Sequence, residues 1–290
     1  MSTAKGGWEL PISEGELSRL TRELDQAHQE YLPRMHAAAA GLTEELRDTG
    51  TADAGTSGAS GAAGASWPGT GSRRGFLLGV GGVAAAMALA ACSSSTKSAV
   101  GAPTSGSSAM SGSASGSASA SGLYTGDLRL VALATALENQ AVGAYGATLT
   151  AAKAGKLGTV PPAVATFVTT AMAQHADHAK AWNAVLTGAG KPAITDVPLS
   201  NQPATLKALD AATSAGDAAK LALQLEDQAA QTYLYATYNV SSAGGIATAA
   251  SIAPVEAMHA AILNFVLGQY PVPDDFLPVD QAASPSLLTV

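Results

Sequence analysis

The most constraining feature of the chain is an internal repeat of polar residues in its C-terminal part. Residues 137–141 read Leu-Glu-Asn-Gln-Ala, and residues 225–229 read Leu-Glu-Asp-Gln-Ala. A tyrosine follows each copy at the same spacing, as Tyr145 and Tyr233. The two segments are therefore predicted to occupy equivalent places in the fold.

A second pair of segments repeats in the same order. His178-Ala179, followed by Asn183, recurs as His259-Ala260, followed by Asn264. Two copies of the same two-segment unit predict two helical hairpins. A longer Pro- and Gly-containing stretch at 188–215 would connect them.

Start and stop signals predict where the helices lie. Asp127 is expected to cap the first helix, and Pro161 and Pro162 suit the first turn of the second. Pro254 is either the first turn of the last helix or a kink within a longer helix from Gly245. The predicted helices cover 127–154, 159–187, 204–212, 217–240 and 245–267.

Because no segment alternates between apolar and polar residues, the predicted fold is all-α. Short turns within each hairpin and one long connection between the hairpins match an antiparallel four-helix bundle. Its crossover would join the second and third long helices.

Glutamate and histidine are rare in residues 123–290, and all of them fall within the repeats. Glu256 and His259 form a Glu-x-x-His motif, which places both side chains on one helix face. His175 and His178 occupy the equivalent place on the second helix. The complete set is Glu138, His175, His178, Glu226, Glu256 and His259.

These six residues are the candidate metal ligands. Carboxylates and imidazoles that converge inside a helical bundle suit iron or manganese, and bridging carboxylates can hold two ions. Each motif alone is common without a metal, since a single buried histidine is usually a core residue. The placement of all six at repeat-related positions favours a metal site.

The pattern resembles that of the ferritin-like dinuclear carboxylate proteins, over about residues 125–270. The resemblance implies that Glu138 and Glu226 are terminal ligands and that Glu256 bridges. It implies that His178 and His259 are the nitrogen ligands. It also implies two irons per chain and an exported bacterial protein, with 271–290 as a C-terminal tail.

His175 departs from the family pattern, because a bridging glutamate is expected at that position. Imidazole rarely bridges two metals, so one bridging glutamate at most remains. An asymmetric pair of ions, a single ion, or a softer ion such as copper or zinc stays open.

Several neighbours of these ligands have predicted supporting roles. Tyr145 and Tyr233 lie two turns after a ligand glutamate, where they would pack, or bond to the ligands, or take part in redox chemistry. Packing is the favoured interpretation. Asn183 and Asn264 are expected to hydrogen-bond between helices, and Trp182 to lie in the core.

The N-terminal extension, residues 1–71, contains one predicted acidic amphipathic helix at about 13–48. Its apolar side chains recur at helical spacing. His28 and His36 are expected to be exposed residues of this helix. The extension is either an extra cytoplasmic segment or a product of start-codon choice. The apolar stripe comprises Leu17, Leu20, Leu24, Tyr31 and Met35.

An export signal is predicted at residues 72–92. Arg73 and Arg74 precede an apolar run at 76–91, as in twin-arginine signals, and the run is too short for a standard spanning helix. The run ends at Cys92, the only cysteine, which resembles the lipidated residue of a lipobox. Two acyl chains on Cys92 would anchor the protein stably.

The composition of the rest of the chain limits which partners the protein is expected to bind. Residues 93–122 are almost wholly Ser, Gly and Ala and are predicted to be a flexible linker. A net charge of -7 argues against nucleic-acid binding. The predicted partners are a metal ion, the twin-arginine export machinery, and the membrane through a lipid anchor at its outer face.

Three functions follow as hypotheses. The first is a metal-dependent redox protein that oxidises ferrous iron with dioxygen or removes peroxide. The second is a non-enzymatic lipoprotein that sequesters or transfers a metal. The third is an interaction protein with a vestigial site. Whether the chain is an enzyme stays open at this stage.

Overall fold

The computed structural model describes residues 8–55, 122–273 and 277–290. Arg73, Arg74, Cys92 and nearly all of the predicted linker lie outside the described residues. The predictions for the export signal, the lipid anchor and the linker therefore remain predictions.

The described part of the chain is all-helical, in agreement with the predicted fold class. It also holds one short 3₁₀ turn, Pro285–Leu287, and one isolated bridge between Leu199 and Leu288. The helices are α1 (Glu14–Gly55), α2 (Asp127–Lys153), α3 (Pro162–Gly188), α4 (Gln202–Ala211), α5 (Ala215–Asn239) and α6 (Ala243–Val266).

The observed helix bounds agree closely with the predicted ones, and Pro254 lies inside α6. The predicted role of Asp127 as a helix cap is wrong. Gly126 holds the cap position, and Asp127 makes no cap hydrogen bond to its own helix. Its carboxylate instead accepts hydrogen bonds from the backbone amides of Ser241 and Ser242, at 3.0 and 2.9 Å. Asp127 therefore ties the start of α2 to the connection between α5 and α6.

The four long helices of the repeat, α2, α3, α5 and α6, are called the central helices below. α2 packs against α3, α5 packs against α6, and α2 also packs against α5. Phe167, Val185 and Ile252 are among the buried apolar residues between them. Alanines make up a large share of the buried residues on these faces.

The long connection between α3 and α5 lies against the central helices. The Asn183 amide donates a hydrogen bond to the carbonyl of Ile194 and accepts one from its backbone amide, at 2.9 and 2.8 Å. Asn139 donates to the same carbonyl. The expectation that Asn183 bonds between helices is wrong, since it holds a loop instead.

The helix α1 packs against α3 and α6 and belongs to the same compact unit as the central helices. Leu17, Leu24, Met35 and Leu42 are all buried in this contact. At ~1.5–3 kcal/mol for each fully buried large apolar side chain, they contribute substantially to holding α1 in place. The N-terminal extension is thus a fifth long helix of the folded unit.

Hydrogen bonds at the start of α1 and in its C-terminal part fix its position along the central helices. Glu14 accepts from the backbone amide of Ala163, at the start of α3. Glu45 accepts from the amides of Ala243 and Gly244, at the start of α6. An acidic side chain at a helix N-terminus is favourable because it meets unpaired amides and the positive end of the helix dipole.

One described helix, α6, is long and apolar enough to cross a membrane. About half of its apolar stretch is buried against other helices, as is usual for a core helix. The helix also carries the buried residues Glu256 and His259. Packing against the other helices therefore explains why α6 is apolar.

Candidate metal centre

The central helices bring all six predicted ligands together in one buried cluster. Each side chain is at most 2% exposed to solvent. Each of the four helices contributes at least one member. The cluster consists of Glu138 on α2, His175 and His178 on α3, Glu226 on α5, and Glu256 and His259 on α6.

Two overlapping groups within the cluster have the spacing of metal ligands. In each group, one atom from every residue lies within 4.8 Å of one atom from every other. His175 and Glu256 belong to both groups. The first group is Glu138, His175, His178 and Glu256, and the second is His175, Glu226, Glu256 and His259.

His175 lies between the carboxylates of α2 and α5. Its Nδ1 is 2.7 Å from Glu138 Oε2, and its Nε2 is 3.0 Å from Glu226 Oε1. Burial alone would lower the pKa of His175, but the surrounding carboxylates raise it well above its usual value. The imidazole is therefore protonated in the metal-free protein and links the two glutamates.

Burial and nearby charges also shift the pKa values of the partners of His175 in opposite directions. Burial would raise the pKa of Glu138, but His178 and His175 together hold it at about 2. Burial would lower the pKa of His178, but Glu138 and Glu256 raise it to about 9. The cations and carboxylates thus neutralise one another within a site that water does not reach.

His259 is oriented by a neighbour that the sequence analysis did not assign. Its Nε2 lies 2.8 Å from Gln174 Oε1, which can only accept a hydrogen bond. Its Nδ1 faces Glu226 and Glu256, at 3.2 Å each. Once the ring is neutral, the bond to Gln174 keeps the proton on Nε2 and leaves Nδ1 free to bind a metal.

The two repeated tyrosines bond across the cluster. The Tyr145 hydroxyl donates to Glu226, and the Tyr233 hydroxyl donates to Glu138. Each tyrosine therefore contacts the glutamate of the other hairpin. The favoured interpretation of plain packing was wrong, because both hydroxyls orient candidate ligands.

Trp182 adds a further link to this network. Its indole N–H donates to the Tyr233 hydroxyl at 2.9 Å, and the two rings stack. The residue lies in the core, as expected. It also fixes the tyrosine that holds Glu138.

Two members of the cluster carry buried atoms without hydrogen bonds. Both ring nitrogens of His178 and the Oε1 atom of Glu256 lack a hydrogen-bond partner among the described residues. His178 Nδ1 lies 2.9 Å from Glu256 Oε1, so the two groups attract each other without hydrogen-bond geometry. Unpaired nitrogen and carboxylate donors that converge in this way fit a metal ion.

His28 of α1 also reaches this region, so the expectation that it is exposed is wrong. It is only 2% exposed, and its ring centroid lies 5.3 Å from that of His178. Burial, followed by the nearby His178, lowers the pKa of His28 to about 4, so its ring is neutral. His36 is exposed, as expected.

The sequence contained a signal for His28. It lies four residues after Leu24 and seven before Met35, and therefore on the same apolar face. A histidine within a buried stripe is a candidate for the interior. No comparable signal marks Gln174. It directly precedes His175, and helical spacing does not place two consecutive residues on the same face.

A small apolar cavity of about 40 Å³ lies beside the cluster. Tyr145 forms part of its wall, together with Phe167, Val168 and Leu263. The cavity thus meets the cluster at the tyrosine that bonds to Glu226.

The chain matches the family model described as "Ferritin-like domain" over residues 126–269. The match spans the four central helices and all six members of the cluster. Searches of curated proteins and of solved structures found no significant match. Residues 126–269 are thus similar to a ferritin-like domain, and their buried glutamates and histidines are compatible with metal binding.

Proposed function

We propose that this ferritin-like domain holds a dinuclear metal centre, of iron or manganese, with oxidase or peroxide-type activity. The domain would be an antiparallel four-helix bundle with one long crossover. Glu138 and Glu226 would be terminal ligands, and Glu256 would bridge. His178 and His259 would supply nitrogen.

One observation carries the proposal. Six buried carboxylate and imidazole side chains form two groups of ligand spacing that share Glu256 and His175. Two groups that share a carboxylate suit two neighbouring ions. The unpaired nitrogens of His178 and the unpaired oxygen of Glu256 add donors without partners.

The protein residues have separable tasks in this proposal. A bound iron or manganese pair would supply electron transfer to dioxygen or peroxide. Tyr145 and Tyr233 hold Glu226 and Glu138 in place by donating hydrogen bonds. The small apolar cavity beside Tyr145 suits a small apolar molecule such as dioxygen.

The test is elemental analysis of the full-length protein after anaerobic loading with ferrous iron or manganese. About two ions per chain are expected, together with consumption of dioxygen or peroxide by the loaded protein. The Glu256→Ala, His259→Ala double variant should lose the metal. Full occupancy without oxygen or peroxide chemistry would contradict the redox function.

A second candidate function is metal sequestration or transfer without catalysis. It is favoured by the third imidazole, His175, which links Glu138 and Glu226 by hydrogen bonds. Nitrogen-rich sites suit zinc or copper better than carboxylate-rich sites do. Tight binding of one zinc or copper per chain, without oxygen chemistry, would support this function.

A vestigial site is the third candidate. The protonated histidines and the carboxylates can neutralise each other without a metal. In that case, added metal would not raise the thermal stability of the protein. A bound metal raises stability according to its concentration relative to its Kd.

The proposed location is the outer face of the cytoplasmic membrane. Arg73 and Arg74 support twin-arginine export, and Cys92 supports a lipid anchor. Cleavage before Cys92 would break the covalent connection between α1 and the central helices. Labelling with a fatty acid in cells, compared between wild type and Cys92→Ser, tests the anchor.

A further inference from the structure

We propose that His28 of α1 is a further metal-binding residue on the side of Glu138, His178 and Glu256, next to His178 and outside the two groups that already have ligand spacing. The inference rests on the proposed metal function and concerns the full chain, before any cleavage ahead of Cys92. It assigns to the N-terminal helix a direct part in the site.

The position of His28 on α1 is the first argument. It lies on the buried face between Leu24 and Met35, where the helix contributes apolar side chains to the core. A histidine in such a stripe normally finds a hydrogen-bond partner. Neither ring nitrogen of His28 has one among the described residues.

The neighbour of His28 is the second argument. Its ring faces that of His178, with centroids 5.3 Å apart and planes tilted by 56°. Both ring nitrogens of His178 also lack hydrogen-bond partners in the described part of the chain. The two adjacent buried imidazoles therefore have four ring nitrogens without hydrogen bonds, although His178 Nδ1 lies 2.9 Å from Glu256 Oε1. A buried polar atom without a hydrogen-bond partner is unfavourable.

The rigidity of α1 is the third argument. Its first residue, Glu14, bonds to the start of α3, and Glu45 in its C-terminal part bonds to the start of α6. Arg47 Nε also donates to the carbonyl of Gly188 at 2.8 Å, at the end of α3. His28 lies between these fixed points, so its ring is held beside the cluster.

The second half of the centre is the group that contains Glu226 and His259. α1 also contacts this half, but only through Gln174. Gln174 Nε2 donates to Asp25 Oδ1 at 3.5 Å, while its Oε1 faces His259. The two halves therefore differ, since His28 adds a nitrogen to one and Asp25 supports a ligand of the other. The half that contains His178 would be the richer in nitrogen and would favour metals that prefer imidazole.

The test measures binding of Co²⁺ and of anaerobic Fe²⁺ to full-length His28→Phe protein, by calorimetry and by the Co²⁺ absorption spectrum. Phenylalanine fills the buried space without a nitrogen. His36→Phe is the matched control, because His36 is exposed on the same helix. His28→Gln, which keeps a polar group without the imidazole, is the second variant.

The expected result is an about 10–100-fold weaker affinity and a shifted Co²⁺ spectrum for both His28 variants, with His36→Phe unchanged. Limited proteolysis of α1 shows whether each variant keeps the helix in place. Wild-type affinity and spectrum in His28→Phe would overturn the role of His28 alone. Failure of the wild type to bind either ion would overturn the proposed metal function as well.

Discussion

At the scale of single residues, the cluster is organised by hydrogen bonds that cross between the hairpins. Tyr145 belongs to the first hairpin and holds Glu226 of the second, and Tyr233 holds Glu138 in return. Each hairpin thus positions a carboxylate of the other. The two repeats are coupled at the site as well as through their apolar faces.

Removal of either tyrosine hydroxyl tests this coupling. Tyr145→Phe and Tyr233→Phe should each destabilise the metal-free protein by about 1.5–3 kcal/mol, because a hydrogen bond to a charged group is lost. Denaturant unfolding measures the change. Tyr238→Phe is the matched control, since Tyr238 is 71% exposed, and it should leave stability unchanged. Equal stability of all three variants would contradict the coupling.

The shifted pKa values predict how stability depends on pH. The pKa of His178 is raised to about 9, so its contribution is complete below pH 6.5 and is lost as pH rises through 9. The pKa of Glu138 is lowered to about 2, so its contribution is complete above pH 4.5 and is lost as pH falls through 2. The pKa of His28 is lowered to about 4, so its contribution is complete above pH 6.5 and is lost as pH falls through 4. The metal-free protein should therefore be most stable near pH 6.5.

Thermal unfolding of the full-length apoprotein at pH 5.5 and 9.5 checks this prediction. The Tm should be lower at pH 9.5. Metal loading should reduce the loss of stability at alkaline pH, because metal-bound imidazoles carry no proton to release. Identical Tm values of the apoprotein at both pH values would show that the histidines contribute nothing to its stability.

At the scale of helices, α1 approaches α6 closely enough to require glycine. A Cβ atom at Gly244 would lie 2.7 Å from Leu42 Cα and 2.8 Å from the Ala38 carbonyl oxygen. Because these are backbone atoms, they can move only if the helix moves. Gly244 therefore sets the distance between the two helices.

Gly244→Ala should displace α1 and destabilise the protein by about 1–3 kcal/mol, as overpacked contacts do. Gly143→Ala is the control on α2, where a Cβ would meet nothing within 4 Å. That change should stabilise the protein by about 0.5–1 kcal/mol, since alanine is the better helix former. Denaturant unfolding should thus give opposite signs for the two variants. The same sign for both would contradict the close approach.

The helices were the most predictable part of the molecule, because Gly, Pro and the apolar period mark their ends. The convergence of the six glutamates and histidines was also predictable, since the repeat puts them at equivalent places. Their role as ligands stays a prediction. The docking of α1 was not predictable. An acidic amphipathic helix has the same sequence pattern whether its apolar stripe packs on its own domain or on a partner protein. The crossed tyrosine bonds depend on side-chain directions that spacing alone does not determine.

At the scale of the whole molecule, α1 contributes part of the core although 66 residues that the structure leaves undescribed separate it from residue 122. Its buried residues Leu17, Leu24, Met35 and Leu42 contact the central helices directly. This attachment does not depend on the intervening chain. The two parts should therefore hold together as separate polypeptides.

A protease site engineered into residues 57–116 tests this expectation. After cleavage, α1 should co-elute with the central helices in size-exclusion chromatography under native conditions. Mass spectrometry would identify both fragments in one peak. The same cut in Gly244→Ala protein should release more of α1. Elution of the central helices alone from the wild-type digest would contradict the core role of α1.

The docking of α1 also has a topological consequence. A single passage of the chain through a bilayer between residues 56 and 122 would leave α1 on one side and the central helices on the other. The contact between them can exist only while both lie in the same compartment. The form in which α1 is docked then precedes any such passage, and translocation would expose the faces of α3 and α6 that α1 covers.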